Sequence, residues 1–403
     1  MNTRHSGLTL IGAELSSITI VVVILCYLSA VIQSHADALD HWHLRRPPQS
    51  TNYLSAVTYA NGLFVAVGRS GARGEILTSP DGVVWTSHTL GTTNEPFEVD
   101  QVAYGNDRFV TIGTSADGFV STNGVDWITA TNPSAGAEHL LGFGNGVFVA
   151  ANPGFVSTSP DGLNWSVSQT HSIRTHPEDI IYAGGRFVIV GRNPFIMVPS
   201  VWASTNGTDW FASGPVASQS EGLFAVTWGG GLFVAAGFGR NLVSLDGQQW
   251  SASTGPAYFA EDLTFWDGIF VAVGRTVFPD SAAHIQTSTN GVQWQVRDSG
   301  WTNGLLSVAY GSGTFVAVGE GGAILQSDDT RARLTGRIDA NTGAVELSVT
   351  GGLVRSYRLQ AAANLPATNW TDLLTFTNTA PATSFVDTDT THFSWRFYRV
   401  VSP

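Results

Sequence analysis

Leu63-Phe64-Val65-Ala66-Val67-Gly68, followed by Ser79-Pro80-Asp81-Gly82-Val83-Val84-Trp85, decides the fold, because both phrases recur along residues 42–329. The first phrase is β-branched and aromatic with few polar atoms, as suits a strand buried on both faces. Its phenylalanine returns at Phe109, Phe148, Phe187, Phe233, Phe270 and Phe315. The second phrase, Ser-x-Asp/Asn-Gly-x-x-Trp, returns from Ser121 to Trp127, Ser159 to Trp165, Ser204 to Trp210, Ser244 to Trp250 and Ser288 to Trp294. Asp-Gly and Asn-Gly predict two-residue hairpin turns with positive φ at both central positions, and the Asp or Asn side chain can accept N–H bonds from the turn. Each repeat then holds about four short strands in roughly 40 residues, the size of one propeller blade.

The ends of the array predict how it closes. The last copy, Tyr310-Gly311-Ser312-Gly313-Thr314-Phe315-Val316-Ala317-Val318-Gly319, reaches Ser327-Asp328-Asp329 and stops without its tryptophan. An unpartnered tryptophan stands at the front, in His41-Trp42-His43-Leu44, 43 positions before Trp85 and in phase with the later spacings of 42, 38, 45, 40 and 44. The expected architecture is an all-β, seven-bladed β-propeller over residues 39–330, with the N-terminal strand completing the last blade.

These repeats resemble the Asp-box, or bacterial neuraminidase repeat, of sialidase-like propellers. They are closer still to the propellers of photosystem II assembly factors and of uncharacterised exported bacterial proteins. The resemblance covers residues 42–329 and implies that the motif forms the turn between the third and fourth strands of a blade, with a structural role away from any active site. The chain departs from the Asp-box in its spacing, with Gly directly after Asp or Asn. It also places Val84, Asp126, Asn164, Asp209, Gln249 and Gln293 before the tryptophan, where Thr is common in the family.

Beyond residue 330 the repeat ends. Val345–Val349, Ser356–Gln360 and 393–400 read as alternating strands, and Tyr357-Arg358-Leu359-Gln360, Asn369-Trp370-Thr371 and Phe397-Tyr398-Arg399-Val400 resemble small immunoglobulin- or fibronectin-like modules. A β-rich module over 331–403, serving adhesion, spacing or sorting, is the expectation. Residues 1–38 read as a signal peptide or an uncleaved N-terminal anchor. Arg4 and His5 precede an apolar run from Ile18 to Ile32, and small residues follow at Ser34, Ala36 and Ala38. The chain is therefore expected to be exported to the periplasm, cell surface or medium, as a monomer. Its one cysteine, Cys26, lies within that segment, so cleavage would leave no disulfide.

The 403 residues include 45 glycines, carry a net charge of −12, and take all their basic charge from arginine, with no lysine. That balance excludes general binding to a nucleic-acid backbone. No cofactor or metal is expected, because the glycines open turns instead of helices and the histidines lack ligand spacing; His171, Arg174 and His176 merely share a loop. No catalytic residue is assigned.

In a propeller the loops between strands 2 and 3, and those between blades, share one face around the axis. Arg69, Arg192 and Arg275 directly follow the glycine ending strand 2, Arg240 comes slightly later, and Glu320 holds the same slot in the seventh blade. These five residues are the predicted ligand-binding set, converging as guanidiniums able to bind carboxylate or phosphate, or else each pairing with a local carboxylate. Glu75, Glu95, Glu98, Glu138, Glu178, Asp179, Glu221, Glu261 and Asp262 share that face, with Glu178-Asp179 and Glu261-Asp262 expected just before strand 1. Tyr258, Phe259 and Trp301 are expected as exposed loop aromatics, and the periodic tryptophans as wedges between blades. The predicted function is a non-enzymatic binding or scaffold protein for a protein or glycan. A sialidase-like glycoside hydrolase, though the family's Arg-Ile-Pro motif is absent, and a photosystem-type assembly factor are the alternatives.

Overall fold

The computed structural model describes residues 38–401 except 47–51, 72, 89, 91–97, 134–138, 169–174, 194–197, 214–221, 238–240, 254–258, 277–281, 339–343, 351–355, 364–366, 368, 378–381 and 388–395. It separates into two compact units, Trp42–Gln326 and a second containing Ser327–Pro403. Residues 1–37, nearly all of the segment read as a signal peptide or anchor, lie outside the described residues, among which no helix is long and apolar enough to cross a membrane.

The larger unit is a β-propeller. Its described residues form seven four-stranded sheets, each built from strands consecutive in sequence except the last. That last sheet takes Leu305–Gly311, Thr314–Gly319 and Ile324–Ser327 from the end of the array and Trp42–Arg46 from its start, in the order expected for closure. The first strands of successive sheets touch in a complete circle, and Asn52–Ala60 meets Leu305–Gly311 where the circle joins. We number the blades from 52–88, so that the closing blade is the seventh.

The core is distributed between blades. Phe64, Leu77 and half-buried Trp85 of blade 1 pack with Val316, Val318 and Ile324 of blade 7, and the same scheme places Trp127, Trp165, Trp210, Trp250 and Trp294 at later interfaces. The motif holds each wedge in place. Ser79 Oγ accepts the Gly82 N–H at 2.8 Å, Asp81 Oδ1 accepts that of Val83 at 3.0 Å, and Trp85 Nε1 donates to Gly82 O at 3.0 Å. Only the glycine of this turn is left-handed. The two-residue turns with both φ positive lie elsewhere, between strands 1 and 2, at Asn61-Gly62, Asn106-Asp107, Asn145-Gly146, Gly184-Gly185, Gly230-Gly231, Asp267-Gly268 and Ser312-Gly313. The repeated Asp/Asn-Gly is thus a side-chain-capped loop between strands 3 and 4, and the type I′ hairpins are two connections earlier.

The smaller unit contains two three-stranded sheets, Arg333–Ile338, Val345–Thr350, Ala382–Asp387 and Thr371–Thr377, Ser356–Ala362, Phe397–Val401, around Leu334, Leu347, Val349, Leu359 and Tyr398. Buried Asp387 accepts the Tyr398 hydroxyl at 2.9 Å and pairs with Arg396 at 2.6 Å, so its charge is compensated inside the module.

Candidate functional site

The face bearing the loops between strands 2 and 3 is shaped by an irregularity of strand 1. In five blades that strand carries a bulge, at which Ser55, Glu178, Phe224, Glu261 and Leu306 are the extra residues of the ladder. A bulge bends the strand and re-aims the extra side chain. It also presses a strand 1 carbonyl onto the Cα of the glycine that ends strand 2, as Phe259 O on Gly274 and His176 O on Gly191. The carboxylates expected before strand 1 therefore belong to strand 1 itself, His176–Ala183 in blade 4 and Phe259–Trp266 in blade 6.

Those side chains meet the predicted arginines. Arg192 Nε lies 2.8 Å from Glu178 and its guanidinium 5.4 Å from the Phe224 ring of the next blade. Phe224 packs on Phe259 of the blade after that, with centroids 4.5 Å apart. Arg275 lies over Phe259 at 5.9 Å, contacts Glu261 through Nε at 2.9 Å and reaches Glu320 of blade 7 through Nη1 at 3.1 Å. Glu320 bridges through its backbone to Tyr53 of blade 1, whose ring carries Arg69 at 5.5 Å, and Arg69 pairs with Glu98, ahead of blade 2, at 2.5 Å. His139 and Asp100 approach to 3.5 Å between blades 2 and 3. The mouth is thus rimmed by a belt of alternating charges and rings that passes from blade to blade.

Of the two arrangements expected for these arginines, an anion cradle or pairing with local carboxylates, the described residues show pairings. Arg69, Arg192 and Arg275 each meet the protein's own carboxylates, and Arg275 and Glu320 of the predicted set are brought together. Arg240 lies outside the described residues, as do Glu95, Glu138, Glu221, Tyr258, His171 and Arg174. Phe259 is buried instead of exposed, because its ring is sandwiched in the belt. Glu75 serves the closing strand, accepting both Nη groups of Arg46 at 3.0 and 2.9 Å.

Below the belt, two carboxylates stitch neighbouring blades. Asp179 accepts the Val226 N–H of blade 5 at 2.7 Å, and Asp262 accepts the Val308 N–H of blade 7 at 2.8 Å and the Ser307 hydroxyl at 2.7 Å. Ser307 Oγ in turn accepts the Val57 N–H across the closing joint at 3.1 Å. The three side chains occupy one repeat position, three residues before the aromatic that ends strand 1. Burial raises the pKa of both aspartates, and the charge of Asp262 raises that of Asp179 further. Sequence alone does not expose this device, since Ser, Asp, Ala, Leu and Gln all stand at the position. Among the described residues, no group of three or more potential ligands could hold a metal ion.

Burial also pushes the Glu261 carboxyl up to about 7, with Glu178 and Glu320 adding repulsion and Arg275 opposing it. A carboxyl raised on folding contributes stability that is full below its ordinary value and is lost as pH rises through the folded value. The protein is therefore expected to melt at a higher temperature at pH 5.5 than at pH 8. Asp246, held low by the N–H groups of Gln249 and Gln248, keeps its charge across that window and does not offset the trend. Glu261→Gln, which imitates the protonated form, is expected to narrow the gap between the two melting temperatures; an unchanged gap would remove Glu261 as its source.

No family model matches the chain, and no curated protein matches it by sequence. Solved structures share the fold at low identity. A YCF48 bound to a D1 peptide is 16% identical with a TM-score of 0.55, covering 71% of this chain and 96% of its own. Virginiamycin B lyase from Staphylococcus aureus is 12% identical with a TM-score of 0.59, over 71% and 99% of the two chains. The WD40 β-propeller domain of Doa1 is 13% identical with a TM-score of 0.53, over 71% and 97%. Identities this low speak for the propeller fold alone.

Proposed function

We propose that this chain is an exported, non-catalytic scaffold whose belted mouth docks a polypeptide segment of a partner protein. The carrying observation is the belt itself: charged and aromatic side chains linked across neighbouring blades, with Arg69, Arg192 and Arg275 still 45%, 28% and 39% exposed at the side chain. Such a rim is pre-organised, so little side-chain entropy is lost on binding, and its arginines and aromatic rings are residue types that dominate protein interfaces. A peptide bound to a YCF48 propeller supports the same use of the fold. The leader-like segment 1–38 supports export. Hydrolysis is less favoured, because it needs two carboxylates facing a bond, whereas these face arginines and backbone N–H groups.

Selection of a random 12-residue peptide library on the full-length protein tests the proposal. Selected peptides should bind Arg192→Ala/Arg275→Ala at least tenfold more weakly, a loss of about 1.4 kcal/mol. Peptides that bind both proteins equally, or a selection that enriches nothing, would refute docking at the mouth.

A further inference from the structure

The opposite end of the axis carries a second repeated device. Strand 1 of every blade ends in an aromatic residue directly opposite the repeat phenylalanine: Tyr59, Tyr104, Phe143, Tyr182, Trp228, Phe265 and Tyr310. The next residue must be small. A Cβ on Gly105, Gly144, Gly229 or Gly311 would fall within the ring of Phe143, Tyr182, Phe265 or Tyr59 of the following blade. The corresponding residues are Ala60 in blade 1 and Ala183 in blade 4.

Blade 6 breaks this rule with the largest side chain available, Trp266. Tyr310 of blade 7 lies flat against it, with centroids 4.6 Å apart and planes at 15°. Even so, the indole stays 49% exposed. Trp228, on the adjoining blade 5, is 40% exposed, and these are the exposed tryptophans among the described residues. Functional sites are among the places where a chain breaks its own local packing rule. The turns beside these rings, Gly230-Gly231, Asp267-Gly268 and Ser312-Gly313, hold one charge among six residues.

We propose that the exposed indoles of Trp228 and Trp266, the latter backed by Tyr310, bind a neutral glycan chain. The indole surface that Trp228 and Trp266 leave in water is flat and apolar, suited to the C–H face of a pyranose. A nearly uncharged rim favours a hydroxylated ligand over an ionic one. The site is independent of the mouth, which lies roughly 20 Å away along strand 1, six residues at the usual strand rise.

Isothermal titration of the full-length protein with cellohexaose, xylohexaose, maltohexaose and chitohexaose, together with tryptophan fluorescence, tests this. At least one should bind and perturb indole emission. Trp266→Ala should weaken that binding at least tenfold while keeping the melting temperature, since alanine already occupies this place in blades 1 and 4. Arg192→Ala/Arg275→Ala should bind the glycan as the wild type does. The proposal fails if none of the four binds, if Trp266→Ala binds equally well, or if that variant loses stability by several degrees, which would make the indole a packing residue. Self-association abolished by Trp266→Ala, without glycan binding, would make the arc a protein interface and also overturn it.

Discussion

Gly274→Ala is expected to destabilise the propeller by about 3 kcal/mol, within the range for overpacking a rigid site. The residue closes strand 2 of blade 6, and a methyl group there would sit on the carbonyl oxygen of Phe259 and close to the Cα of Ala260. Both obstacles are backbone, so no rotamer change relieves them. Strand 1 would have to retreat, and with it the bulge between Ala260 and Asp262. That bulge aims Glu261 at Arg275 and holds Asp262 against Val308 and Ser307, so the belt and a blade-to-blade stitch would loosen together. A melting-temperature drop of about 5 °C is expected for a unit of this size. Gly62→Ala provides the contrast: its φ is +76°, but nothing lies within 4 Å of the new Cβ, so only the left-handed backbone penalty of about 1 kcal/mol applies. If Gly274→Ala melted with Gly62→Ala or above it, the close approach would not be what demands glycine here.

The same glycine shows how far the sequence could be read. Its recurrence four residues after each repeat phenylalanine marks the end of strand 2, and blade 3, where Asn152 stands instead, is one whose strand 1 pairs Leu140 with Ala151 without a bulge. What the pattern did not disclose is the bulge. One extra residue shifts the alternation of every side chain before it, and only the facing strand reveals the shift. Glu178-Asp179 and Glu261-Asp262 therefore read as a loop, although each pair spans a strand, with the first residue turned to the mouth and the second to the next blade. Arg69, Arg192 and Arg275 were found because they follow a recurring glycine. Glu98, Glu178, Glu261 and Glu320 were placed on the same face, but which arginine each one meets was not legible, because each comes from an irregular position or, for Glu320 and Glu98, from outside the arginine's own blade. The aromatic girdle escaped for a related reason: its residues vary among Tyr, Phe and Trp, and the constraint on the residue after them comes from the following blade.

A chain that begins at Asn52 is expected to lose more than 10 °C in melting temperature and to associate through the exposed edge of blade 7. It lacks Trp42–Arg46, the outer strand of that blade, and leaves the backbone edge of Ile324–Ser327, whose residues are all buried, without a neighbour. Two polar ties go with it. Arg45 Nε donates to Gln326 Oε1 at 2.7 Å, and Gln326 Nε2 donates to Asp81 O at 2.7 Å, so a single glutamine links the closing strand to the motif loop of blade 1. Arg46 pairs with Glu75 where the two side chains are only 17% and 9% exposed. Stripping the partner from a buried carboxylate costs about 3–5 kcal/mol, since the charge stays behind without compensation. Arg46→Ala alone should therefore reproduce a large part of the loss, and Arg46→Ala with Glu75→Gln should recover some of it. Adding the peptide 38–50 to the shortened protein should restore the melting temperature in a saturable way, because the strand completes its sheet without a covalent link to it. A shortened chain that melts with the full one, or a peptide without effect, would mean that the circle is held by its inner strands and that Trp42–Arg46 is an ornament on its rim.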